Sequence, residues 1–261
     1  MVPRALRIVL PFVAIAVYYW NFVGSPVVVP VAPEAGPGPG RASIETSRQL
    51  AERARAAYNA GRFADAAQAL EAQEQQTPSN PIVLGLLAQS YGRLGRWQDA
   101  ADRWERFLTV SPTPVEACPA LPKAYEALGQ TDKAFDANVR CYKLEPSNPE
   151  LAEALARAYL RRGKTDEAAK VMAPVNSDGA DTLMVKAQIA IRQNRFADAR
   201  ALLTRALAAH EAYADLHVVM AVLERAEGHR EAAIRHCTRA LALEPGNADA
   251  RAILNTLEGA K

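Results

Sequence analysis

Aromatic side chains are scarce in this chain, 7% of 261 residues, although 49% of the residues are hydrophobic. That balance argues against a core of stacked rings and for one held by many small alanine and leucine contacts. A surplus of charge is lacking too: 31 Lys+Arg stand against 29 Asp+Glu, a net +2. Nothing in that total drives the chain toward nucleic acid, and electrostatic recognition must come from charges arranged on one face. The four histidines, His210, His217, His229 and His236, never stand three or four residues from another His or Cys, the spacing that puts two ligands on one helix face. They read as surface or repeat-filling residues, and no metal is expected. No Ser-His-Asp, Cys-His or dicarboxylate motif is anchored either, so no catalytic residue, cofactor or small-molecule substrate is expected. Gly36-Pro37-Gly38-Pro39-Gly40 does not make a phosphate loop, because its prolines delete the N–H groups such a loop needs and no Lys-Ser or Lys-Thr follows.

A long uncharged run occurs once. Arg4 and Arg7 precede Ile8 to Val17, and Tyr18-Tyr19-Trp20 closes the stretch before Asn21-Phe22-Val23. A helix crossing ~30 Å of hydrocarbon needs about 20 residues, and the aromatic cluster suits the interface. The preferred reading of residues 1–23 is an uncleaved membrane anchor. A cleavable signal peptide and a buried helix are its competitors, the first disfavoured by Pro26 and Pro33 beside the small residues. The arginines keep the short end in the cytoplasm. The Ala- and Arg-rich usage looks bacterial, so the expectation is a single-pass inner-membrane protein whose remaining domain lies in the periplasm. Residues 24–44, rich in Pro and Gly, read as a spacer.

After the spacer the chain repeats itself. Ala66, Ala100, Ala134 and Ala168 recur every 34 residues, Ala199 follows after 31, and Ala233 after another 34. Gly61, Gly95, Gly129, Gly163 and Gly228 each stand five residues before one of these alanines, with Asn194 at the remaining place; Asn is the best substitute for Gly in a left-handed turn. Pro78, Pro112, Pro146 and Pro245 close four of the units. This punctuation describes a helical hairpin: a first helix ends at the glycine, and a second carries the alanine until the proline stops it. Ala54, Ala88, Ala156, Ala187 and Ala221 on first helices face Ala66, Ala100, Ala168, Ala199 and Ala233 on second helices, with Leu84, Leu87, Tyr91, Trp97 and Trp104 filling the space beside them.

With Leu84-Gly85-Leu86-Leu87-Ala88 through Tyr91, Gly95, Trp97, Ala100, Trp104 and Pro112, the chain resembles the tetratricopeptide repeat family. The resemblance implies an all-α, right-handed superhelix (an α-solenoid) of about six hairpins over residues 45–261. The units are 47–80, 81–114, 115–148, 149–179, 180–213 and 214–247, with a capping helix at 248–258. The fourth unit is three residues short near Ala173 to Gly179, so its second helix should end early. Pro119 and Pro122 push the start of the third unit's first helix to Cys118 or just beyond. Cys118 and Cys141 then lie level across that hairpin, either as a disulfide or as two reduced thiols, while Cys237 reads as a buried small hydrophobe.

In this family the first helices line a concave groove. By repeat alignment that face comprises Arg55, Tyr58, Asn59, Gln89, Arg93, Lys123, Glu126, Arg157, Leu160, Arg161, Gln188, Ile191, Arg192 and Arg225. Its arginine bias suits a peptide bearing carboxylates; the alternative is that the arginines pair with neighbouring Glu or face solvent. The expected role is a membrane-tethered protein-interaction scaffold in an envelope assembly. The alternatives are a non-catalytic accessory subunit of an enzyme complex, for cytochrome maturation or cell-wall polymers, and a helical-repeat RNA binder, which the anchor and near-neutral charge disfavour.

Overall fold

The computed structural model describes residues 41–259. Thirteen α-helices follow one another there without a strand: α1 (Arg41–Asn59), α2 (Phe63–Gln76), α3 (Pro81–Arg93), α4 (Trp97–Val110), α5 (Leu121–Ala127), α6 (Thr131–Leu144), α7 (Pro149–Arg161), α8 (Thr165–Met172), α9 (Ala180–Arg192), α10 (Phe196–Ala209), α11 (Ala214–Ala226), α12 (Arg230–Leu243) and α13 (Ala248–Gly259). A single 3-10 turn, Pro114–Ala117, precedes α5. Odd-numbered helices up to α11 are the first members of six hairpins, and α13 stands alone at the end. From α2 onward each helix packs on its successor, and α7, α9, α11 and α13 also pack on one another in order. The membrane-anchor expectation for residues 1–23 and the spacer expectation for residues 24–40 lie outside the described residues, while residues 41–44, also expected in the spacer, begin α1. Among the described residues no helix is long and apolar enough to cross a membrane.

Local chemistry sets where each hairpin turns. At the end of α3 the N–H of Arg96 donates to the Tyr91 carbonyl and that of Gly95 to Gly92, with Gly95 at φ 73°. These two bonds satisfy carbonyls a helix end otherwise leaves open, and the left-handed residue they require carries no Cβ. Asn194 does the same work after α9 at φ 55°, where Arg195 N–H reaches the Ala190 carbonyl. Helix starts use a different device: Asn80 and Asn148 accept from the N–H groups of Ile82 and Glu150, each followed by a proline in the first turn, where no N–H is needed.

The small residues make the close approach the spacing implies. Ala54, Ala66, Ala88, Ala100, Ala156, Ala168, Ala187, Ala199, Ala221 and Ala233 are all buried, and so are Leu84, Leu87, Tyr91 and Trp104. Trp97 is not. It is 37% exposed, because it begins α4 just past the Gly95 turn, where its ring lies beside Gly92 and Gly95. In the third hairpin buried Pro122 stands where the other units place the small residue, and α5 has seven residues against thirteen in α7. In the fourth, α8 has eight residues where α10 has fourteen.

Candidate protein-binding surface

The groove residues expected from the sequence all lie on first helices, but in different states. Arg157 donates to Asp181 at 2.7 Å, and the Tyr213 hydroxyl donates to the same carboxylate at 3.1 Å. Arg161 donates to Glu126 at 2.6 Å. Three of the expected contact residues are thereby engaged in ties between neighbouring hairpins. Leu160 and Ile191, expected on the groove, are 5% and 9% exposed; Leu160 belongs to the core with Met172 and Ile189, and Ile191 to the core with Leu203 and Leu223, and this corrects that expectation. Gln89, Gln188 and Tyr58 are half-buried, Tyr58 meeting Phe63 edge-on at 5.2 Å. Arg93 lies over the Phe63 ring, 5.4 Å from its centroid. Arg55, Asn59, Lys123, Arg192 and Arg225 are exposed. No carboxylate lies within ion-pair distance of Arg55, Arg93, Lys123, Arg192 or Arg225 among the described residues.

Other polar groups serve the joints. The Tyr91 hydroxyl donates to Glu71 at 2.7 Å and the Tyr125 hydroxyl to Glu105 at 2.8 Å, one repeat apart. Arg140 also grips Glu105 with two bonds, and this holds the Glu105 carboxyl below its ordinary range, while burial and then Glu105 push the Tyr125 phenol up to about 12. Burial raises the Glu153 carboxyl against the opposing bond from Thr182. Glu224, Glu227 and His229 converge at the turn from α11 to α12 with ligand atoms within 4.8 Å, and Arg200 of α10 donates to both carboxylates, which makes this an ion-pair cluster tying the fifth hairpin to the sixth. Cys118 and Cys141 are joined as a disulfide with Cα atoms 5.5 Å apart; Cys237 is free and buried.

One pair escaped the spacing argument. His217 of α11 and His236 of α12 lie Nδ1 to Nδ1 at 3.2 Å, and His217 Nε2 faces the Glu211 carbonyl at 3.2 Å. With Nε2–H donating to that carbonyl, His217 accepts at Nδ1 and His236 donates. The two residues are 19 apart in sequence and meet only across a hairpin, so a rule for ligands on one helix cannot find them.

Family comparison agrees with this architecture. Two family models described as tetratricopeptide repeat match the chain, one over residues 125–189 and the other over residues 51–106 and 184–248. The chain belongs to the tetratricopeptide repeat family. Similar solved tetratricopeptide structures include a protein from Parabacteroides merdae, 14% identical, covering 82% of this chain and 99% of that one with a TM-score of 0.60. PilW, a type IV pilus biogenesis factor, is 14% identical over 82% of this chain and 99% of its own, TM-score 0.59. YrrB, described as having an unusual peptide-binding site, is 13% identical over 71% and 97%, TM-score 0.52. At these identities the likeness is one of fold. No curated protein matches the chain. Tetratricopeptide arrays are generally non-catalytic scaffolds that bind other proteins or peptides.

Proposed function

We propose that this tetratricopeptide protein is a non-enzymatic scaffold that holds an acidic peptide segment of a partner along its first helices. The observation that carries the reading is the row Arg55, Arg93, Lys123, Arg192 and Arg225, exposed cations that no carboxylate of the described residues neutralises. Arg157 and Arg161, already paired, position the helices rather than bind. An extended chain with spaced carboxylates is the ligand that such a row attracts, and fork-shaped guanidinium groups reward it. The Cys118–Cys141 bridge supports an oxidising compartment, and with the apolar run at residues 8–23 it favours a membrane-tethered role outside the cytoplasm, in assembly of an envelope complex.

The test uses the full chain in mild detergent to select peptides from a displayed random library. Enrichment of Asp and Glu, weaker binding as salt rises, and loss on the triple change Arg93→Glu, Lys123→Glu, Arg192→Glu are expected. Neutral or basic winners, or acidic ones indifferent to the triple change, overturn the groove. Recovery of the protein outside the membrane fraction of its native cells overturns the tether alone.

A further inference from the structure

His217 and His236 face one another across the sixth hairpin, nitrogen to nitrogen. Their ring centroids are 5.5 Å apart with the planes inclined by 27°, and Nδ1 to Nδ1 is 3.2 Å. The first distance exceeds the second by what the two ring radii supply, so centroids and Nδ1 atoms lie almost on one line and each Nδ1 points at the other. The rings therefore meet tip to tip rather than stack. On the far side of His217, Nε2–H donates to the Glu211 carbonyl. That bond fixes the tautomer and leaves the Nδ1 lone pair bare, which is how a backbone carbonyl orients a metal-ligating imidazole. His217 is 8% exposed and His236 is half-buried, so an ion enters from the side of the second ring.

We propose that these two residues bind a monovalent d10 cation, copper(I) in the cell, held in line between the two Nδ1 atoms. The number of donors selects the ion. Among the described residues the one convergent group of three metal-capable side chains, Glu224, Glu227 and His229, includes neither ring, and Arg200 donates to both of its carboxylates. Zinc(II), which takes four ligands in a tetrahedron, finds only two at the histidine pair. Imidazole suits copper, and copper(II) prefers a square of donors, so a pair in line favours the monovalent ion. Charge selects the same way: Arg200 and Arg235 act on His236 against the single carboxylate of Glu224, and a single positive charge is repelled half as strongly as a double one. No proton has to leave. His236 transfers its proton from Nδ1 to Nε2, two nitrogen–metal bonds replace one N–H···N bond, and the site gains one positive charge. With metal–nitrogen bonds of roughly 2 Å a linear bridge spans about 4 Å, so the nitrogens part by less than ~1 Å, a shift that rotation of the half-buried His236 side chain supplies.

Silver(I) is the probe, since it shares the linear preference and stays monovalent. The full chain, in mild detergent and chloride-free buffer, carries Cys237→Ala to remove its free thiol. With ¹⁵N-labelled histidine, one equivalent of silver should shift the Nδ1 resonances of His217 and His236 and split both by coupling to ¹⁰⁹Ag, leaving His210 and His229 unchanged. Excess copper(I), added without oxygen, should remove both splittings together, and zinc(II) at the same concentration should not. His217→Gln and His236→Gln should each weaken silver binding more than about tenfold, the loss that even an outer-shell partner of a ligand causes, with far-UV circular dichroism unchanged. The splitting is read with both histidines present, so the test does not depend on either variant folding. Silver that splits neither Nδ1 or only one, binding that moves to His210 or His229, or splitting that outlasts excess copper(I) overturns the proposal. Zinc(II) that displaces the silver overturns it too, assigning the pair to a divalent ion.

Discussion

Replacing Cys118 and Cys141 with alanine should destabilise the third hairpin by about 3 kcal/mol, the unfolded-chain entropy that a bridge over this separation removes. The two residues are 23 apart in sequence, and the segment they close contains the weakest first helix of the array, the seven residues of α5, entered through Pro119 and Pro122. Both sulfurs are buried with Leu151 of the next hairpin, so the bridge also sits at the joint to the fourth unit. Urea unfolding followed by circular dichroism reads the global loss. Because hairpins of an array can open separately, amide hydrogen exchange over residues 121–144 reads the local one. The oxidised protein should exchange these amides slowly, and the double variant should exchange them faster than α9 to α12. Added reductant should bring the wild-type chain to the level of the variant and leave the variant unchanged. A double variant within about 0.5 kcal/mol of the oxidised protein, the range of an inconsequential substitution, would refute the argument, as would a reductant effect that persists without the cysteines.

Gly95→Ala should cost about 1–2 kcal/mol in thermal unfolding, since φ is 73° there and the price is paid by the backbone; Asn194→Gly should be close to neutral. Ala88→Leu should cost about 1–3 kcal/mol by overpacking, because Ala88 is fully buried in the hairpin contact, and urea midpoints measure it. Burial, then the neighbouring His217, lowers the His236 imidazole below its ordinary 6.5; Glu224 opposes, and Arg235 and Arg200 reinforce. The unfolded chain therefore takes up that proton first as pH falls. Stability should be full above about 6.5 and decline on acidification, and His236→Gln should flatten the urea midpoint between pH 7.5 and 5.5. Tyr125 runs the other way: its phenol is raised to about 12, so the contribution is full below about 10 and lost as pH rises toward 12. Tyr125→Phe should remove that alkaline dependence and cost about 0.5–1.5 kcal/mol at neutral pH.

Hairpin turns, contact alanines and the short fourth unit were legible because each rests on a local requirement. A left-handed turn needs Gly or Asn, two backbones in contact need alanine, and proline cannot sit inside a helix, so these constraints recur with the repeat and need no knowledge of neighbours. Trp97 was misjudged because aromatic character does not say whether a helix's first residue leans inward. Leu160 and Ile191 came from the same alignment as Arg93 and Arg192, yet the first two are buried and the second two exposed: the face a residue shares is set by helical period, but its burial depends on how closely the next hairpin approaches.

By itself, the sequence determined the all-α hairpin array and the level at which Cys118 meets Cys141, since both follow from periodicity and from which residues backbone geometry tolerates. Only the tertiary structure decided which arginines are paired and that His217 meets His236. Arg161 and Glu126 are 35 residues apart, and whether they touch depends on the rise and twist from one hairpin to the next, a sum over every packed side chain between them that no local rule contains.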